Sequence, residues 1–233
     1  DMADLWKYNP LTNEWTWIGG SNVAPAAAVY GTQGVAAVTN NPGSLSGGVS
    51  WSDLSGNLWI FGGGATNNLK GALWKYDIAT GWWTWMKGSS SLNEAGVYGT
   101  QGIAASANVP GGRSLIRAGW TDSAGDLWFF GGQTYSFGLR ANNDLWKYNI
   151  NTNQWTWMKG SNTYGQSGTY GTQGVAAPAN KPGARWTSTA ITDLNGGLWL
   201  FGGNPAFNDL WYMSLCAFPS VPVLSATATT ICS

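Results

Sequence analysis

The sequence contains no histidine. That absence removes the usual general base near neutral pH, every Ser-His-Asp arrangement and every imidazole metal ligand. Glutamate occurs only at Glu14 and Glu94, in different parts of the chain, so a glycosidase built on paired carboxylates has little to draw on. The two cysteines, Cys216 and Cys232, both sit near the C-terminal end and have no histidine to generate a thiolate. They leave compartment and pairing state open. Charged residues make up 9% of the chain, with 11 basic against 11 acidic side chains, where an ordinary soluble domain carries roughly 25% charge. No basic run exists to displace counterions from phosphates, which excludes nucleic acid as a partner. No apolar stretch reaches the roughly 18 residues that read as a membrane helix, so no membrane insertion is expected. The chain opens on Asp1 without a signal-peptide pattern, which fits a processed or excised segment. Catalytic residues, metal ligands and cofactors are all expected to be none.

What the chain does hold is aromatic residues and glycine: 17 Trp and 34 Gly in 233 residues. This mixture suits short strands packed through large flat side chains and joined by glycine turns. The tryptophans repeat. Leu-Trp-Lys-Tyr occurs at Leu5–Tyr8, Leu73–Tyr76 and Leu145–Tyr148, and Leu210-Trp211-Tyr212 is a degenerate fourth copy. Trp-Thr-Trp recurs in step at Trp15–Trp17, Trp83–Trp85 and Trp155–Trp157. So do Tyr-Gly-Thr-Gln-Gly at Tyr30, Tyr98 and Tyr170, and Leu-Trp-x-Phe-Gly-Gly at Leu58, Leu127 and Leu198. Four motifs sharing one period of 65 to 72 residues define a repeat, and the repeat decides the fold.

Each unit reads as four strands. Strand a ends near Trp51, Trp120 or Ile191, and a turn opened by Asp and closed by Gly (Asp53–Gly56, Asp122–Gly125, Asp193–Gly196) leads into strand b. Strand b is Leu-Trp-x-Phe, stopped by Gly-Gly; strand c is the Leu-Trp-Lys-Tyr run; strand d carries Trp-Thr-Trp. The Asp turns offer too few carboxylates for calcium, which wants about six to eight oxygens.

The unit resembles the kelch repeat, with its Gly-Gly pair after strand b, an aromatic in strand c and a Trp in strand d. The resemblance covers residues 4–213 and implies an all-β fold: a β-propeller of four-stranded antiparallel blades around a central channel. The unit is longer than the usual period of about 50 residues. The extra length lies between strands d and a, for instance Gly160 to Gly183. Some kelch-type propellers resemble the central domain of galactose oxidase, whose copper needs two His as well as Tyr; a chain without His resembles a non-catalytic version. Counting from strand c to strand c gives thirteen strands, about three blades, whereas closed propellers have about 4–8. Further blades of the same polypeptide or another copy are therefore expected partners. Residues 1–215 read as the propeller segment. Residues 216–233, without Trp or Gly, resemble a linker running into an immunoglobulin-like domain, as in secreted modular bacterial surface proteins. The alternative is that Val221–Ala228 supplies the missing strand d.

Fifteen of the 17 tryptophans occupy recurring positions, which marks Trp59, Trp128, Trp199, Trp74, Trp146, Trp85 and Trp157 as packing residues between blades. The irregular Trp82, where other units have Glu14 and Gln154, and Trp186, beside Arg185, are candidate stacking platforms for a ligand. The b–c loop with Tyr135, Phe137 and Arg140 is not repeated and is the stronger ligand candidate. The repeated Tyr-Gly-Thr-Gln-Gly segments share that face and read as locks of the long loops. The expectation is a secreted or cell-surface binding module for glycan or protein. The alternatives are a structural spacer or assembly subunit, and a non-catalytic part of a larger secreted enzyme.

Overall fold

The computed structural model describes residues 1–65, 67–214 and the strand 224–226. Cys216 and Cys232, and the boundary at 215/216, lie outside the described residues. The chain is an all-β protein of antiparallel sheets, and no sheet closes into a barrel. Among the described residues no helix is long and apolar enough to cross a membrane.

The first hairpin joins β1 (Ala3–Asn9) to β2 (Glu14–Ser21). A four-stranded sheet follows from β3 (Val49–Ser52), β4 (Leu58–Phe61), β5 (Leu73–Asp77) and β6 (Trp82–Lys87), paired in that order. The next comprises β7 (Ala118–Thr121), β8 (Leu127–Phe130), β11 (Leu145–Asn149) and β12 (Gln154–Lys159). Between β8 and β11 the chain makes a separate hairpin, β9 (Gln133–Tyr135) with β10 (Leu139–Ala141). The last sheet is β13 (Thr189–Thr192), β14 (Leu198–Phe201), β15 (Leu210–Met213) and β16 (Leu224–Ala226). The repeat period thus maps one unit onto one sheet, with strands a to d in meander order. Two differences from the strand count stand out. Leu224–Ala226 pairs with Trp211–Met213, so the last sheet has a fourth strand. The β9–β10 hairpin adds two strands that no other unit has among the described residues.

The three four-stranded sheets pack against one another, with their first strands β3, β7 and β13 adjoining. Glycine at 119 permits that approach: a Cβ there would meet Val49 Cγ2 at 2.4 Å and Trp51 Nε1 at 3.0 Å. The period-2 alternation of β8 feeds two cores. Leu127 and Phe129 join Trp51, Trp59, Phe61, Tyr148 and Trp155, while Trp128 and Phe130 join Trp120, Leu198, Leu200 and Trp211. Burying one aromatic side chain removes roughly 150–250 Å² from water, several kcal/mol at ~25 cal/mol per Å². Packing therefore accounts for most of the tryptophans.

The a–b turns are built by their aspartates. Asp53 accepts the backbone N–H of Ser55 and Asn57 and the indole N–H of Trp59. Asp122 does the same for Ala124, Asp126 and Trp128, and Asp193 for Asn195, Gly197 and Trp199. The Trp199 indole holds the Asp193 carboxyl below its ordinary range. These carboxylates are committed to N–H donors, and among the described residues no group of three acidic, His or Cys side chains converges on a metal position.

Candidate functional site

The b–c connection of the third unit starts as that of the fourth does, where Asn204 likewise exchanges two backbone hydrogen bonds with Trp186, and departs from it after Gln133. Gln133 exchanges two backbone hydrogen bonds of 2.8 Å with Ser114, and the Thr134 hydroxyl donates to the Gly112 carbonyl at 2.8 Å. At the other end the Asn142 side-chain amide donates to the Gly132 carbonyl at 3.1 Å. Gln133, Thr134, Asn142 and Asn143 are buried, so the hairpin stands on a fixed base. Above it the chain leaves the body.

Tyr135 pairs with Leu139 and Thr134 with Arg140. Direct pairs share a face, so Tyr135 and Leu139 lie on the face opposite Thr134 and Arg140. Phe137 sits in the three-residue turn, fully exposed, with φ of 49°. Tyr135 and Leu139 are 37% and 45% exposed. The result is an apolar finger of three side chains, with the exposed Arg140 on the reverse and its Nε donating to the Ser136 carbonyl at 3.5 Å. A left-handed backbone at a bulky non-glycine residue is rare and costs on the order of 1–3 kcal/mol.

The structure brings Tyr135, Phe137 and Arg140 together and leaves the two irregular tryptophans elsewhere. Trp82 opens β6 opposite Asp77 and is 42% exposed. Glu14 and Gln154 occupy the same register opposite Asn9 and Asn149, as the sequence comparison implied. Trp186 is half-buried in the segment before β13, where its backbone bridges Asn204. The recurring tryptophans fill the stack: Trp59, Trp74, Trp128 and Trp146 are buried, and Trp85, Trp157 and Trp199 are half-buried. Trp59 lies 5.7 Å from Tyr148 of the neighbouring sheet.

The Tyr-Gly-Thr-Gln-Gly segments turn out to be covers. Tyr30 lies 5.1 Å from Trp74 and 5.0 Å from Trp85; Tyr98 lies 5.0 Å from Trp146 and 5.1 Å from Trp157; Tyr170 lies 5.1 Å from Trp211. Tyr30 and Tyr98 thus cover strands c and d of the unit that follows, and Tyr170 covers strand c of the last. Gln33 and Gln101 donate to the carbonyls of Gly88 and Gly160, which ties the segment to the end of strand d.

Beneath two of the covers lies a polar network that the motif reading did not single out. Arg113 donates to both oxygens of Asp144, at 2.8 and 3.0 Å, and the Tyr98 hydroxyl donates to Asp144 at 2.7 Å. Arg185, Asp209 and Tyr170 repeat the arrangement at 2.5, 2.8 and 2.8 Å. The visible signal was Pro-Gly-x-Arg with its arginine 15 residues after Tyr98 and after Tyr170. Burial pushes the Tyr98 phenol up, and the Asp144 charge adds to it. Burial works against ionised Asp209, yet hydrogen bonds from Arg185, Trp211 and Tyr170 outweigh it and bring the carboxyl to about 2. The two guanidinium groups also donate to backbone carbonyls, Arg113 to Gly131 and Arg185 to Gly183 and Gly202, so the network fastens the cover to the sheet beneath it.

No family model matches the chain, and no curated protein does. Among solved structures the chain is similar to YjhT, with a TM-score of 0.58 at 13% identity. The match covers 98% of this chain, which spans 59% of the YjhT chain. At that identity the similarity concerns the fold alone.

Proposed function

We propose that the chain is a stretch of kelch-type propeller blades that works outside the cell as a binding module for a glycan or a protein, with no catalysis of its own. The packing of four-stranded meanders against one another with their first strands side by side supports the propeller reading. The single observation that carries the binding reading is the β9–β10 hairpin: an unrepeated finger on a buried base, with Phe137 fully exposed in a strained backbone. An aromatic pair on such a finger stacks on a sugar ring or enters an apolar pocket of a protein. The test is to compare the chain with a Tyr135→Ser, Phe137→Ser double variant on glycan and peptide arrays. Selective signals from the parent that vanish in the folded variant support the reading. Identical profiles sink it and favour the second reading, a spacer or assembly subunit, which the devotion of most tryptophans to internal packing favours.

A further inference from the structure

Three of the four c–d hairpins carry a cover, and the fourth does not. Trp6 pairs with Trp17 across β1–β2 as Trp74 pairs with Trp85 and Trp146 with Trp157. In β5–β6 and β11–β12 a tyrosine fits against both rings, and the strand-c tryptophan is 1% and 0% exposed. In β1–β2 the rings stack on each other at 6.3 Å, and Trp6 and Trp17 are 49% and 47% exposed. The same face leaves Tyr8 and Trp15 exposed as well.

Two further features belong to the same place. Asp4 accepts the Trp6 indole at 2.7 Å, as Asp144 and Asp209 accept Trp146 and Trp211 at 2.7 Å. Those two carboxylates also hold an arginine and a tyrosine; among the described residues Asp4 holds neither. Among the described residues strand β1 pairs with β2 alone, whereas β5, β11 and β15 each pair with a strand b. Between β1–β2 and the next sheet lies a cavity of about 670 Å³ lined by Leu5, Ile18, Ile60, Tyr76 and Trp83. In the equivalent space between the second and third sheets, Trp59 and Phe61 of strand b of the second sheet fill the gap against Leu127 and Phe129, and β1–β2 has no such strand beside it.

We propose that the aromatic face and free edge of β1–β2 form a docking site for the inner half of another repeat unit, lying outside residues 1–233. Its chemistry is set by what the site lacks: a covering tyrosine, an arginine 15 residues after it for Asp4, and a Leu-Trp-x-Phe strand for the edge of β1. The arginine is specific. In the second unit, Leu45 stands at the arginine position and Ala72 at the aspartate position, so the chain itself uses either both charges or neither. Since β1–β2 keeps Asp4, its occupant carries arginine. A second copy of this chain is a poor occupant, because its own three tyrosine segments already cover their units. The inference rests on the repeat architecture and is independent of the β9–β10 hairpin.

A second copy of residues 162–208 placed directly before Asp4 recreates the connection that leads into Asp209. The fused chain is expected to bind less apolar-sensing dye, to protect the β1 amides from hydrogen exchange, and to unfold at a higher temperature. Arg185→Leu in the added copy alone shrinks the gain, and adding Asp4→Ala restores it. A peptide of residues 162–208 supplied to the unfused chain protects the same amides saturably. The proposal is overturned if β1 amides exchange as freely with the added segment, fused or in trans, as without it. It is equally overturned if Arg185→Leu leaves the gain intact while Asp4 is present. A concentration-dependent dimer of the unfused chain that buries Trp6 and Trp17 would also overturn it.

Discussion

The Arg113 guanidinium and the Asp144 carboxylate meet with both side chains almost entirely out of water, through two hydrogen bonds of 2.8 and 3.0 Å. Arg113 also lies 5.2 Å from the Phe129 ring and donates to the Gly131 carbonyl, so charge, ring and backbone converge on one group. Taking two ions from water is costly, and removing one partner leaves the other uncompensated. Arg113→Leu alone is therefore expected to cost about 3–5 kcal/mol. Joined with Asp144→Ala, the combination already present at Leu45 and Ala72, it recovers most of that loss. Denaturant melts of the two single variants and the double variant check this, and additive losses would contradict it.

The acid limb of stability follows from Asp209. Its carboxyl titrates at about 2 in the folded chain and near 4 when unfolded. A lowered folded value stabilises the chain fully above the unfolded value, and that contribution is lost as pH falls from about 4 toward 2. Asp193 is shifted in the same direction. Melting temperature measured against pH should drop across this window, and Asp209→Asn should flatten the drop while lowering stability near neutrality.

Much of this was legible because tryptophan and glycine mark the strands. Leu-Trp-x-Phe followed by Gly-Gly fixes strand b in every unit, and the Asp turn before it is bound to the same Trp through the indole. Leu224–Ala226 was harder, because no Trp marks it and its place in the sheet comes from backbone pairing with Trp211–Met213. The β9–β10 hairpin was visible as an unrepeated loop but not as strands, since each strand has only three residues. Arg113 and Arg185 were missed as a pair with Asp144 and Asp209 because their partners lie 31 and 24 residues away, across a sheet. Trp186 looked irregular for the opposite reason: its neighbour Arg185 is the conspicuous residue, held 3.9 Å over the Phe207 ring.

Trp128 is the deepest test of the stack. It is 3% exposed, bonded to Asp122 through its indole, and packed among Trp120, Phe130 and Leu198. Trp128→Ala should cost about 3–5 kcal/mol, as for other large-to-small core changes. A loss under about 1 kcal/mol in denaturant melts would show that the two sheets do not depend on this side chain.

Phe137 should behave in the opposite sense. Its ring makes no buried contact, and its backbone, with φ of 49°, suits asparagine or glycine better. Phe137→Asn is expected to raise stability by up to about 1 kcal/mol while abolishing binding through the hairpin. A thermal melt and the array comparison together check it. Lost stability would mean the ring packs on something in the folded chain.

Strand β8 has only four residues, yet all four are buried and they divide evenly between two cores. It works as a keystone: neither core can loosen without disturbing the strand that serves the other. Loss of order at one end of the stack should therefore spread through β8 instead of stopping at a sheet boundary. Its amides would be the last to exchange, and a cut in the chain would be tolerated at the β9–β10 tip long before it was tolerated eight residues upstream.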